Sequence, residues 1–188
     1  MEALVTSFAA ALAAEWGDKT QLLAIALAAR FARPAPIIAG IALAALANSL
    51  IAGIGGSLIH DMIPLRAISL FVGIALVFTG GSAMLRAKAP DVGTKWRTGP
   101  FLTALGAFFL VELGDKTQFT TAAFAAQFDA PLLAAAGATA GIILASIPAV
   151  VAGPALAKAV PLRGLRLGIG IAFLVVGLGV GLSALRLV

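Results

Sequence analysis

Four carboxylates in the middle of apolar segments are the residues of this chain best placed to do chemistry. They are half of the eight acidic residues in the sequence: Glu15, Asp18, Glu112 and Asp115. If these segments span a membrane, each central charge costs roughly 2.5–3.5 kcal/mol on insertion scales. With the neighbouring Lys19 and Lys116, the six groups carry an uncompensated penalty on the order of 15–20 kcal/mol. We therefore expect them to pair, to line water or to bind an ion.

The carboxylates belong to a seven-residue motif that occurs twice. Glu-Trp-Gly-Asp-Lys-Thr-Gln at 15–21 recurs 97 positions later as Glu-Leu-Gly-Asp-Lys-Thr-Gln at 112–118. The same offset, held without a gap over about 88 positions, also matches the prolines and glycines that punctuate the apolar segments. Such agreement indicates an internal duplication. A static ion-pair network is the structural alternative for one motif, but it explains poorly why the whole motif occurs twice at matching positions.

Spacing within the motif indicates where its side chains point. Glu15 and Asp18 are three residues apart on a helix and share a face, which Gln21 extends by three more. Lys19 follows Glu15 by four residues, so the two side chains are expected to meet. Gly17, between the acids, permits either a close helix approach or a local break in the helix. The second motif repeats this pattern.

Two such helices crossing in opposite directions would bring both motifs into one oxygen-lined pocket. Besides the four carboxylates, the predicted ligand set includes the side-chain oxygens of Thr20, Thr117, Gln21 and Gln118. Oxygen-only sites suit hard cations such as Ca²⁺, Mg²⁺ or Mn²⁺. The sequence has no cysteine, and its one histidine, His60, lies at a span end. A zinc site is therefore not expected.

The charge of this pocket predicts an exchange reaction. Four carboxylates and two lysines leave a formal charge of −2, which one divalent ion neutralises. Crowded like charges favour proton uptake when the ion is absent. We therefore predict metal/proton exchange, in which Lys19 and Lys116 tune the charge.

Composition places the chain in a membrane. Its 188 residues are 61% hydrophobic and 11% charged, with a mean hydropathy of +1.09, whereas about a quarter of the residues of soluble domains are charged. A bilayer takes roughly 20 apolar residues per helix, so we predict an all-α polytopic membrane protein with six transmembrane helices. The predicted spans are about 4–29, 35–58, 65–86, 101–126, 131–156 and 162–185. They form a first three-helix repeat at 1–90, a linker at 91–100 and a second repeat at 101–188.

An odd number of spans per repeat requires the second copy to enter the membrane from the opposite side. If the loops alternate, one side carries nine basic residues: Arg30, Arg33, Arg86, Lys88, Lys95, Arg97, Lys158, Arg163 and Arg166. The other side carries only Arg66 and Arg186. This bias predicts a cytoplasmic linker and outside termini. It also explains the net charge of +5 without nucleic-acid binding.

The two motifs resemble the signature of the Gdt1/TMEM165-type cation exchangers (uncharacterised protein family 16). That signature is Glu-φ-Gly-Asp-(Lys/Arg)-(Ser/Thr), with φ hydrophobic, once in each of two inverted three-helix halves. Residues 15–20 and 112–117 fit it without departure. The resemblance implies a secondary transporter that exports Mn²⁺, or Ca²⁺, against protons, with the motif acids as ligands. The chain is similar to a bacterial manganese exporter, which implies a multi-pass protein of the bacterial inner (cell) membrane.

Other functions stay open at this point. A passive cation or proton channel would use the same charged midplane without substrate-coupled closure. An intramembrane enzyme needs a Ser–His or paired-Asp site, which the sequence does not favour, and no prosthetic group is expected. The partners predicted are a divalent cation, protons and the lipid bilayer. The choice between Mn²⁺ and Ca²⁺, the coupling ratio and homo-oligomerisation are left open.

Overall fold

A computed structural model describes residues 1–85, 90 and 96–187. Half of the predicted linker, residues 91–95, lies outside this part of the chain. So do three of the basic residues counted for the topology: Arg86, Lys88 and Lys95. The described residues form nine helices and no strand. In chain order these are α1 (Glu2–Glu15), α2 (Lys19–Phe31), α3 (Pro34–Met62), α4 (Leu65–Met84), α5 (Pro100–Glu112), α6 (Lys116–Phe128), α7 (Pro131–Ala152), α8 (Pro154–Ala159) and α9 (Leu162–Leu185). The prediction of an all-α protein is confirmed.

The first span of each copy is broken at its motif. Gly17 and Gly114 both have a φ of 73°, a conformation that glycine adopts without steric cost. The residues before them, Trp16 and Leu113, are extended. The segments predicted as spans at 4–29 and 101–126 therefore each contain a break, and Gly17 has both of the roles considered for it, the helix break and the close approach of another helix.

Four of the described helices are long and apolar enough to cross a membrane: α3, α4, α7 and α9. One of these four, α7, ends at Ala152, before the end of the predicted span at 131–156. Gly153 has a φ of 53°, and Pro154 begins the short α8. The positive φ of Gly153 ends α7, and proline is favoured in the first turn of the helix that follows. The six-span inverted arrangement stays a prediction.

The middle helix of each copy packs against the broken span of the other copy. Helix α3 packs against α5 and α6, whereas α7 packs against α1 and α2. Two glycines 97 positions apart allow close approaches. A Cβ at Gly40 would lie 2.5 Å from the Phe101 carbonyl oxygen, and one at Gly137 would lie 2.2 Å from that of Leu4. Each broken span is therefore held by the middle helix of the other copy.

Helices α4 and α9 pack along each other and cover α1 and α6 from one side. Their contact is again made by glycines, because a Cβ at Gly80 would meet the Gly170 carbonyl oxygen at 2.6 Å. Small residues at such contacts allow helix backbones to approach closely in a membrane. The α4–α9 pair borders the broken spans without carrying either motif.

The two motif glycines predict a difference in stability. Alanine at a positive φ costs roughly 1–2 kcal/mol at either position. At Gly17 the new Cβ would also lie 2.5 Å from the Leu162 carbonyl oxygen, whereas at Gly114 it would meet no heavy atom of the described residues within 4 Å. We expect Gly17→Ala to lower the free energy of unfolding by about 1–3 kcal/mol more than Gly114→Ala. Unfolding of both variants in detergent measures this, and equal losses would contradict the packing described for Gly17.

Candidate cation-binding site

The two helix breaks meet inside the bundle and bring the motif acids together. Glu15 and Glu112 are the last residues of α1 and α5, while Asp18 and Asp115 are the N-caps of α2 and α6. One carboxylate oxygen each of Glu15, Glu112 and Asp115 lies within 4.8 Å of the others. Oxygens that bind one ion at about 2.3–2.6 Å are at most about 5 Å apart. The cluster therefore has the dimensions of a site for a single hard cation.

The lysines of the two motifs form ion pairs with the aspartates of the opposite motif. Lys19 Nζ lies 2.8 Å from Asp115 Oδ1, and Lys116 Nζ lies 2.8 Å from Asp18 Oδ1. The expected contact between Lys19 and Glu15 is wrong. It required a continuous helix through Gly17, and the break there removes the four-residue register on which that contact depends.

The two glutamates have different surroundings although their motifs are almost identical. Glu15 accepts hydrogen bonds from the hydroxyl of Thr20 and, at 2.7 Å, from the hydroxyl of Thr117. Glu112 is equally buried, at 1% exposed, yet neither of its oxygens has a hydrogen-bond partner among the described residues. The predicted threonine ligands thus both contact Glu15.

Four buried carboxylate oxygens lack a hydrogen-bond partner within the described part of the chain. They are both oxygens of Glu112, Oδ2 of Asp18 and Oδ2 of Asp115. Leaving a buried charged acceptor unsatisfied costs more than about 1–3 kcal/mol, and such groups in proteins are normally paired or bind metal. The arrangement is suited to a cation.

The glutamines of the motif stabilise the two breaks. Gln21 Oε1 accepts from the Gly17 backbone N–H at 2.8 Å, and Gln118 Oε1 accepts from that of Gly114 at 2.7 Å. Their amide nitrogens donate to the helix that crosses behind: Gln21 to the Ala145 carbonyl on α7, and Gln118 to Asn48 on α3. The structure thus places both glutamine oxygens on backbone amides freed by the breaks and not within the carboxylate cluster.

The sequence analysis missed one residue beside the site, Arg166. It was counted only as a basic residue on the predicted cytoplasmic side. The structure buries it to 7% exposure, leaves its Nε without a partner among the described residues and places its Cβ 3.0 Å from where a Cβ of Gly17 would lie. The signal was available, because the duplication pairs Arg166 with Ser69. This arginine closes the Gly17 face of the site, and the Gly114 face has no counterpart among the described residues.

The two ion pairs predict unequal effects of removing a lysine. The side chain of Lys116 is 3% exposed, and that of Lys19 is 34% exposed. Removing one partner of a buried pair costs about 3–5 kcal/mol, because it leaves an uncompensated charge, whereas solvent screening reduces the cost at a partly exposed pair. We expect Lys116→Met to lower the unfolding temperature in detergent much more than Lys19→Met. The double variant Asp18→Asn/Lys116→Met should recover part of the loss, and no recovery would contradict the pairing.

Comparisons with known proteins identify the family of this chain. The model of the family "Divalent cation/proton antiporter GDT1" matches residues 3–91 and 100–186, two segments that begin 97 positions apart. A protein of Vibrio cholerae serotype O1 described as "Putative manganese exporter" is 36% identical over 167 residues, which cover 88% of this chain and 84% of the relative. No solved structure matches the chain significantly. The chain belongs to the GDT1 family of divalent cation/proton antiporters.

Proposed function

We propose that this protein exports Mn²⁺ in exchange for protons by alternating access, using one site shared by its two motifs. Ca²⁺ is the second candidate substrate. The observation that carries the proposal is the group of four unpartnered carboxylate oxygens buried between the broken spans. Such oxygens are hard ligands for a divalent cation.

In this proposal the four acids bind the cation, and the other motif residues position them. Glu15, Glu112 and Asp115 already have carboxylate oxygens within 4.8 Å of one another, whereas Asp18 is not a member of that group and would have to move closer to bind the same ion. Glu15 is held in place by the two threonine hydroxyls. The glutamines brace the breaks, so we assign them a supporting role and no ligand role in this conformation.

The preference for Mn²⁺ follows from the relative. The Vibrio cholerae protein is described as a manganese exporter, and the family exchanges divalent cations for protons. Mn²⁺ accepts carboxylate and carbonyl oxygens. Mg²⁺ demands near-ideal octahedral geometry and loses its water reluctantly, so it fits a protein-only cluster less well.

The unequal faces of the site support alternating access. At Gly17 the break is packed against Leu162 and Arg166 of α9, while a Cβ at Gly114 would meet no heavy atom of the described residues within 4 Å. Such a difference between the two breaks is expected of one state of an exchanger, whereas a channel needs both faces open at once. Broken helices around a central site are common in secondary transporters. The site would lie in the bacterial cell membrane, with the linker in the cytoplasm.

Glu112→Gln is the most informative test of cation transport. Glu112 has no partner among the described residues, so the substitution removes a ligand charge without leaving a lysine unpaired. We expect the variant to fold but to bind Mn²⁺ at least about tenfold more weakly, a loss of about 1.4 kcal/mol. Mn²⁺ flux and proton flux in proteoliposomes should fall together.

The matched control is Asp129→Asn, which removes a carboxylate 65% exposed near His60 at the end of α6. Its backbone is left-handed, with a φ of 46°, and asparagine tolerates that conformation. The control should transport Mn²⁺ as the unchanged protein does. Wild-type flux by Glu112→Gln would refute the site, and fast flux that does not saturate or move protons would support the channel instead.

Metal-dependent stability tests the identity of the cation. A ligand at a hundred times its Kd stabilises the folded protein by about 2.7 kcal/mol. We expect Mn²⁺ to raise the unfolding temperature of the purified protein more than Ca²⁺, and Ca²⁺ more than Mg²⁺. The same series on Glu112→Gln should show little shift. A shift of equal size in that variant would place the metal elsewhere.

A further inference from the structure

Arg66 and Arg186 lie together at one end of the α4–α9 pair. Arg66 is in the first turn of α4, and Arg186 is the C-cap of α9. Both line a cavity of about 730 Å³, together with Ser69 and Ser183. Residues far apart in the sequence thus place two cationic and two hydroxyl groups around one space.

Neither arginine has an acidic partner among the described residues. Arg66 Nε donates to the Ala184 carbonyl at 2.6 Å, which fixes the guanidinium against the end of α9 and leaves its terminal nitrogens available. Arg186 is exposed, and its left-handed backbone, with a φ of 59°, ends the helix there. Arginine forks bind phosphate oxygens in a bidentate manner. The pair is therefore arranged to receive an anionic group.

These two arginines are also the exceptions to the predicted distribution of positive charge. The topology places nine basic residues on the cytoplasmic side and only Arg66 and Arg186 on the other. Positively charged residues are normally depleted from that side. In the structure both arginines line the same cavity, which indicates that they bind the same group.

An apolar groove continues from this cavity along the bundle. It shares Val176 and Val180 of α9 with the cavity and has a volume of about 510 Å³. It runs between α1, α4, α6 and α9, where Ala9, Phe124 and Phe173 form part of its wall. A cationic mouth joined to an apolar groove matches a molecule with an anionic head and a hydrocarbon chain.

We propose that this site binds an anionic phospholipid. The phosphate lies between Arg66 and Arg186, and one acyl chain occupies the groove that begins at Val176 and Val180. The Ser183 hydroxyl at the mouth supplies a donor to a remaining oxygen. The chain in the groove contacts α1 and α6, which end and begin at the two motifs. The bound lipid would therefore stabilise the packing of the α4–α9 pair against the half-helices that carry the cation site.

Retention of lipid by the purified protein tests the proposal. Native mass spectrometry in detergent should show bound phosphatidylglycerol in preference to phosphatidylcholine. The double variant Arg66→Gln/Arg186→Gln should lose at least about nine-tenths of that lipid, a tenfold weaker binding. Arg163→Gln is the matched control, because Arg163 follows Arg66 by 97 positions and is exposed at the other end of α9. The control should keep its lipid.

A second variant distinguishes binding of the lipid phosphate from binding of its acyl chain. Ala172 lines the groove and is exposed, so Ala172→Phe should fill it and displace the lipid while both arginines remain. Displacement of the bound group by inorganic phosphate, with no effect of Ala172→Phe, would show a free-anion site and overturn the proposal. A dimer that the double variant converts to a monomer would assign the surface to a second copy. Equal retention of the two lipids would overturn it as well.

Discussion

Six ionisable side chains are held between half-helices in a bundle that is otherwise apolar, and the way their charges are compensated determines much of the structure. Each aspartate pairs with the lysine of the opposite motif: Asp18 with Lys116, and Asp115 with Lys19. Neither motif can neutralise its own aspartate. The charge balance is therefore complete only when the two broken spans are docked against each other, which makes the packing of α3 and α7 a condition for the site. Burial of unpaired charge would otherwise oppose folding.

Two nearly identical motifs occupy different environments in this conformation. The Gly17 break is packed against α9 and Glu15 is held by two hydroxyls, whereas Gly114 has open space and Glu112 has no partner among the described residues. A transporter of the proposed kind needs two conformations of similar energy. Duplicated motifs can provide two such conformations, because a movement of one set of helices against the other exchanges the roles of the two halves. Arg166, which the duplication does not repeat, makes the closed face distinct.

The sequence predicted the helical class and the family better than the geometry of the motifs. Composition and the repeated motif were sufficient for that class, for the family and for the three carboxylates that cluster, Glu15, Glu112 and Asp115. They could not show that Gly17 both breaks the helix and allows a close approach, because both depend on what packs beside it. The Lys19–Glu15 contact was predicted on the assumption of a continuous helix, and it failed with that assumption. The end of α7 at Ala152 was foreseeable from Gly153 and Pro154, whereas the burial of Arg166 depends on the position of α9, which no local pattern specifies.

The crossed ion pairs also explain why a divalent cation and protons would compete for the same site. If each lysine remains with its aspartate, the pairs are neutral, and the formal charge of −2 resides on Glu15 and Glu112. One divalent ion neutralises these two glutamates, and so do two protons. When the site holds the ion or two protons, no unpaired charge remains in the apolar bundle. When it holds neither, the two glutamate charges stay unpaired, and their burial makes the free-energy cost large. A conformational change across the membrane is then least costly when the site carries the ion or the protons, and this is the condition that couples the two fluxes in an exchanger.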